Sequence, residues 1–146
     1  MAVNTDVIGK TYEPSTYAVG REKVREYAHA VGETDERYLD PEKAREAGFA
    51  DVVAPPMFAA VYCSGAIGPA ILDPEVGIDF ARMVHGAQAF TWHEPVVAGD
   101  EITTEAAHED TSERGGLKFF VFTTRSVNQR GELVCEGRWT NIVRGV

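Results

Sequence analysis

From Met57 to Leu72 the chain is apolar at nearly every position, and Ser64 is the one polar side chain before Asp73. The pattern predicts a helix over this stretch, with Pro55 and Pro56 suited to its first turn. Gly65 and the pair Gly68-Pro69 weaken its far end, where a kink or a stop is expected. A helix that is apolar on nearly every face must be buried on nearly every face. The rest of the chain therefore has to enclose it.

The enclosing material lies after Asp73, where the hydrophobic period falls from helical to two. Strands are predicted over Met83–Trp92, Asp100–Ala106, Leu117–Val127 and Leu133–Val143. Gly115-Gly116 and Gln129-Arg130-Gly131 fall between them as hairpin turns. Ahead of the apolar helix, Thr11 to Val19 reads as an edge strand. Arg21 to Val31 carries Val24, Tyr27, Ala28 and Val31 on one helical stripe, closed by Gly32. Asp40 as N-cap and Pro41 as first helical residue start another short helix, which ends at Gly48. Helices followed by four meandering strands imply an α+β domain with an antiparallel sheet. A length of 146 residues fits a single domain over 1–146. The Phe119-Phe120-Val121-Phe122 run puts large side chains on both sheet faces, so the face away from the helix also needs cover.

With 23 acidic and 14 basic residues the formal net charge is −9, which would repel nucleic acid or an anionic membrane. An acidic ligand would need a local basic patch, such as one from a partner subunit. Cys63 and Cys135 each have apolar neighbours and no CxxC spacing, so they read as buried free thiols. No signal-peptide core opens the chain, and no stretch approaches the ~20 apolar residues of a membrane span. The expected location is the cytoplasm. His29, His85, His93 and His108 show no metal-ligand spacing, and no metal or other cofactor is implied. His29, His93 and His108 read as surface residues. His85, on a strand before a glycine, is the histidine able to face a ligand.

Four segments in order carry a resemblance. They are Gly32-Glu33-Thr34-Asp35-Glu36-Arg37-Tyr38 after the first helix, Ala54-Pro55-Pro56-Met57-Phe58 opening the apolar helix, Met83-Val84-His85-Gly86-Ala87-Gln88-Ala89-Phe90, and His93-Glu94-Pro95-Val96-Val97-Ala98-Gly99-Asp100. Together they resemble the R-specific enoyl hydratases and dehydratases of the MaoC-like hot-dog superfamily. The Ala-Pro-Pro-x-Phe start is closest to the N-terminal dehydratase domains that resemble part of type I fatty-acid synthase. That group includes the substrate-holding subunits of the mycobacterial-type heterodimeric (3R)-hydroxyacyl-ACP dehydratase. The resemblance implies a hot-dog fold, an antiparallel sheet curled around one long buried helix with short helices before it.

In catalytic members the loop runs Gly-Asp-x-Asn-Pro-x-His. Its Asp and His handle one water, and a backbone amide at the helix N-terminus holds the thioester oxygen. This chain departs at each point. Glu33 stands for the Asp and adds a methylene, and Tyr38, a phenol, stands for the His. Pro56, which has no N–H, stands for the Gly that donates the amide. Ser64 aligns with a supporting serine. The degenerate positions Glu33, Tyr38 and Pro56, with His85, are the candidate catalytic set. Met57, Phe58, Val61, Tyr62, Ser64 and His85 are the candidate substrate-binding set, because the family's acyl tunnel runs beside this helix.

The leading expectation is a subunit that binds the acyl chain of an acyl-CoA or acyl-ACP thioester while a MaoC-like partner supplies Asp and His. It would be a heterodimer in function, a homodimer when isolated, and inactive alone. A second reading is a stand-alone hydro-lyase with Glu33 or His85 as base. A third is a non-catalytic homodimer that binds acyl thioesters or another apolar ligand. Thioesterase chemistry is disfavoured, because the helix carries no nucleophile or placed carboxylate and Asp73 lies beyond its end.

Overall fold

The computed structural model describes residues 2–145. The elements are β1 (Ser15–Ala18), α1 (Arg21–Ala30), α2 (Pro41–Glu46), α3 (Ala59–Ile71), β2 (Met83–Trp92), β3 (Glu101–Arg114), β4 (Leu117–Val127) and β5 (Leu133–Val143). The strands form one five-stranded antiparallel sheet in the order β1-β3-β4-β5-β2. α3 lies across its β1, β3 and β4 half. This is the hot-dog arrangement.

The ends of the short helices follow from their caps. α1 closes with Glu33 N–H donating to Ala28 O at 2.9 Å and Gly32 N–H donating to His29 O at 3.2 Å. This paired closure needs a left-handed residue, and Gly32 has φ 76°. Val31 therefore falls at the cap and is 54% exposed, off the stripe expected for it. Asp40 Oδ1 accepts from Glu42 N–H at 2.9 Å, and Pro41 takes the first turn of α2.

Three sequence expectations change. First, the four strands do not form a simple meander. β3, β4 and β5 do, but β2 pairs with β5 at the far edge. The eight residues His93–Asp100 carry the chain back across the end of the sheet. They are held by Ala54 N–H donating to Val96 O (2.8 Å) and Ala98 N–H donating to Val52 O (3.0 Å). Second, β3 runs on to Arg114 through a bulge between His108 and Asp110, and turns at Gly115-Gly116 with φ 60° and 76°. The charged run after Ala107 disguised it as a loop. His108 is in consequence buried rather than at the surface, and its ring stacks on Phe122 at 4.9 Å. Burial pushes its pKa down, against the raising effect of its backbone partners.

Third, the apolar helix neither stops at Gly65 nor is buried all round. A 3-10 turn, Pro56–Phe58, leads into α3, which contains Pro69 and runs to Ile71. Phe58, Ala59, Tyr62, Cys63, Ala66, Ile67 and Ala70 are buried, while Met57 (46%), Ala60, Ser64 and Leu72 (65%) are exposed. The uncovered stripe is the face of α3 turned away from the sheet, which covers one side of the helix only. Gly65 has a packing role: a Cβ there would stand 2.4 Å from Ser15 Oγ, so the glycine lets α3 approach β1. On the other sheet face, the Arg114 guanidinium sits 4.3 Å from the Phe119 ring centroid and covers part of that one ring, which stays half-buried.

Candidate functional site

The loop after α1 and the start of α3 meet at one end of the sheet. Asp35 caps the 3-10 turn Glu36–Tyr38 by accepting from Arg37 N–H at 2.9 Å, and its carboxylate pairs with the Arg37 guanidinium. Arg37 O then accepts from Val53 N–H at 2.9 Å. That bond ties the loop to the Val52–Ala54 segment, which the Val96–Ala98 loop holds from its other side. The result is a cavity of about 260 Å³ with Tyr38, Pro56, Tyr62, Trp92 and His93 in its walls.

Tyr38 presents a half-buried phenol. Burial raises its pKa first, and the charges of Glu33 and Asp35 raise it further. It stays protonated at neutral pH and can donate a hydrogen bond but not act as a base. Tyr62 is 3% exposed, and burial followed by the neighbouring Cys135 drives its phenol up strongly. Pro56 has no N–H, and its carbonyl accepts the Trp92 indole N–H at 2.8 Å. The helix entrance thus presents no amide at this position, and its carbonyl is occupied. His93 Nε2 lies 3.0 Å from Glu136 Oε1 at the cavity edge.

The remaining predicted residues disperse. Glu33 is half-buried, beside Tyr38 but outside the cavity wall. Phe58 is fully buried, with ring centroids of Tyr27, Tyr17 and Tyr62 at 5.4, 6.1 and 6.3 Å. Met57 is exposed and Val61 half-buried. Ser64 is exposed, with its hydroxyl donating to Val61 O at 2.7 Å. His85 is exposed on β2, seven positions before Trp92 and so about 23 Å away along the strand at ~3.3 Å per residue. Its ring meets Trp139 edge-on at 6.2 Å. The structure therefore gathers Tyr38, Pro56 and Tyr62, sets Glu33 beside them, and leaves His85 apart.

Sequence reading missed Trp92 and His93. Their signal was a strand ending in an indole donor just before the Pro-containing loop that returns to the helix start. Among the described residues no three His, Cys, Asp or Glu side chains gather as a metal site. Beneath α3 lies a polar seam. Thr104 Oγ1 and Ser126 Oγ are 2.7 Å apart, Cys63 Sγ is 3.5 Å from Ser126 Oγ, and Trp139 Nε1–H donates to Thr124 Oγ1 at 2.9 Å. Both cysteines are free and buried, as expected. Burial raises both thiols, that of Cys135 to about 11. A broader hollow of about 940 Å³, between Thr11–Pro14 and Glu105, Arg125 and Glu136, contains none of the loop or helix-start residues.

Residues 6–137 match the family described as FAS1-like, dehydratase domain region. The chain belongs to that family. A UPF0336 protein of Clavibacter michiganensis subsp. michiganensis is 43% identical over 146 residues, covering 99% of this chain and 98% of that protein. Among solved structures, the C terminal truncated HadBC (3R-Hydroxyacyl-ACP Dehydratase) complex from Mycobacterium tuberculosis superposes with a TM-score of 0.83. It is 29% identical, with 94% of this chain and 98% of that chain covered. A MaoC-like dehydratase superposes with a TM-score of 0.86 at 28% identity, over 96% of this chain and 43% of that longer one. The expected kinship with MaoC-like hot-dog dehydratases and hydratases is thereby shown. No helix among the described residues is long and apolar enough to cross a membrane.

Proposed function

We propose that this FAS1-like dehydratase chain is the acyl-holding subunit of a reversible (3R)-hydroxyacyl-thioester dehydratase, which in the reverse direction is an R-specific enoyl hydratase. The substrate would lose water to give a trans-2-enoyl thioester, and a MaoC-like partner would supply the Asp and His. One observation carries the reading. Where the catalytic members hold an acid–base pair and an amide donor, the cavity here offers a protonated Tyr38 and a Pro56 with no N–H. Losing a single oxyanion donor typically costs about a hundredfold or more in rate.

The place for a partner is consistent with this. β2 is an edge strand with one side unpaired, and Trp92 beside it is 47% exposed. Edge strands left open in this way are templates for pairing. The acyl chain would then run along α3, with Val61 and Tyr62 among its contacts.

A stand-alone hydro-lyase is the second reading, and the His93–Glu136 pair at the cavity edge is what favours it. Hydration of a trans-2-enoyl-CoA series, followed at the enoyl absorbance, separates the two. The subunit reading expects no turnover from the chain alone and turnover on adding a MaoC-like partner. Turnover from the chain alone that is lost in His93→Ala or Glu33→Gln would overturn it. Saturable acyl-thioester binding with no turnover in any pairing would instead indicate a binding homodimer.

A further inference from the structure

If the reacting thioester sits in the partner subunit, the cavity beside Pro56 has no assigned occupant. It holds about 260 Å³, and much of its wall is apolar, from Val53, Ala54, Pro55, Pro56, Pro95 and Val96. Two phenols supply donors. Among the described residues the Tyr38 hydroxyl has no hydrogen-bond partner within 3.5 Å. Tyr62 is 3% exposed, and the polar neighbour of its hydroxyl is the Cys135 thiol, a weak acceptor. Cys135 stands opposite Trp92 on the β2–β5 ladder, so the hydroxyl end of Tyr62 lies at the level of the cavity's indole wall. Burial raises both phenols, so both stay protonated at neutral pH and donate. The wall carbonyls are already engaged. Pro55 O accepts from Phe58 N–H, Pro56 O from the Trp92 indole and Val96 O from Ala54 N–H, each at 2.8 Å. The rim is acidic: Glu94 lines the cavity, and the charges of Glu33 and Asp35 act on the Tyr38 phenol. Arg37, the cation beside them, is paired with Asp35, and His93 at the edge faces Glu136. Such a hole needs no ligand where water fills it, but a water held by both phenols would still have two protons of its own to place.

We infer that this cavity binds a small uncharged carbonyl compound, a ketone, ester, lactone or amide, whose oxygen accepts from Tyr38 and Tyr62. The inference rests on the subunit reading, since a cavity that does not hold the reacting thioester is open to another occupant. A carbonyl oxygen has two lone pairs and no proton, which suits two donors set among engaged acceptors. The carboxylates around Tyr38 repel negative charge, so a free acid, coenzyme A or a phosphopantetheine arm is disfavoured here. The volume lies below the ~300–1,000 Å³ of sites for drug-sized ligands, so the body of the ligand is small, and the walls call for an apolar one. Tyr62 is shared: its ring is among the contacts proposed for the acyl chain, and its hydroxyl serves the cavity.

The test is a titration of the isolated chain followed at its backbone and indole N–H resonances, and it needs no turnover. Acetophenone, 1-phenylethanol and benzoate share one ring and differ in the oxygen group. Acetyl-CoA presents a thioester carbonyl on a charged carrier, and 2-heptanone repeats the ketone on an open chain. The ketones should shift the Trp92 indole N–H and the Ala54 amide saturably, and benzoate and acetyl-CoA should not. 1-Phenylethanol should bind on the order of tenfold more weakly than acetophenone, because its own proton finds no free acceptor. Tyr38→Phe and Tyr62→Phe keep the rings and should each weaken ketone binding on the order of tenfold. Where Tyr62→Phe fails to fold, Tyr38→Phe at the half-buried position carries the test alone. No saturable shift from either ketone, equal binding of benzoate or of the alcohol, or ketone binding unchanged in the phenylalanine variants would each overturn the assignment. Hydration of an enoyl-CoA by the isolated chain would sink the subunit reading instead, so the two failures are read in separate experiments.

Discussion

Phe58 and Met57 are adjacent in a motif whose side chains sequence reasoning placed along an acyl tunnel, and truncating each separates packing from ligand contact. Phe58 is fully buried, and its ring has three tyrosine neighbours with centroids at 5.4 to 6.3 Å, all in edge arrangements. Truncating such a phenylalanine costs about 3–5 kcal/mol through lost burial and the cavity left behind. Three aromatic pairs, each worth roughly 0.5–1.5 kcal/mol beyond area, put Phe58→Ala near the top of that range. Native domains are stable by only about 5–15 kcal/mol, so the variant should sit close to the edge of folding. Met57 is 46% exposed, and Met57→Ala should cost under about 1 kcal/mol. Urea unfolding followed by far-UV circular dichroism reads both, and an unchanged m-value would show that the same surface is exposed on unfolding. A loss below about 1.5 kcal/mol for Phe58→Ala, or equal losses for the two variants, would refute the argument. Phe58 would then face open or ligand-filled space, not the core.

Three further outcomes are expected. Asp73 is held down to about 2, first by Lys10 and then by Tyr12, whose hydroxyl donates to it at 2.7 Å. A depressed folded-state pKa contributes stability above the unfolded value near 3.9, and that stability is lost as pH falls toward 2. The Asp73→Asn chain should therefore lose less stability than wild type between pH 4 and pH 2, and parallel acid-unfolding curves would count against the clasp. Trp92→Phe removes the indole donor from Pro56 O and should cost about 0.5–1.5 kcal/mol in chemical denaturation, while the less disruptive Thr91→Ser should not. Cys63 and Cys135 are buried with raised pKa values, so a thiol-specific chromogenic reagent at pH 7 should find them only after unfolding; rapid labelling of the native chain would contradict the packing beneath α3.

Local chemistry was legible wherever one short stretch decides the outcome. β2, β4 and β5 begin and end where period-two patterning and the intervening glycines put them. Asp40 and Pro41 start α2, and Gly32 closes α1, because capping involves only neighbouring residues. β3 was half read, since its final stretch is charged and, past its pairing with β1, it is the free edge of the sheet and can carry charges on an exposed face. Burial of α3 was overstated. Apolar composition demands cover, but it does not say whether the same chain provides it, and this sheet covers one side only.

The candidate site divides in the same way. The expectation that Glu33, Tyr38 and Pro56 stand at family positions came from their order in the chain. That Tyr38 and Pro56 share a cavity, while His85 stands far along β2, depended on the crossing of the His93–Asp100 loop. The Trp92 bond to Pro56 arose in the same manner, from segments that are neighbours in space but not in sequence. Sequence by itself determined most of the helices and strands and the family, because each of these is written in neighbouring side chains or in their order. Only tertiary structure decided which face of α3 stays open and which residues meet, because pairing β2 with β5 is a contact between segments about forty to sixty residues apart that no local pattern encodes.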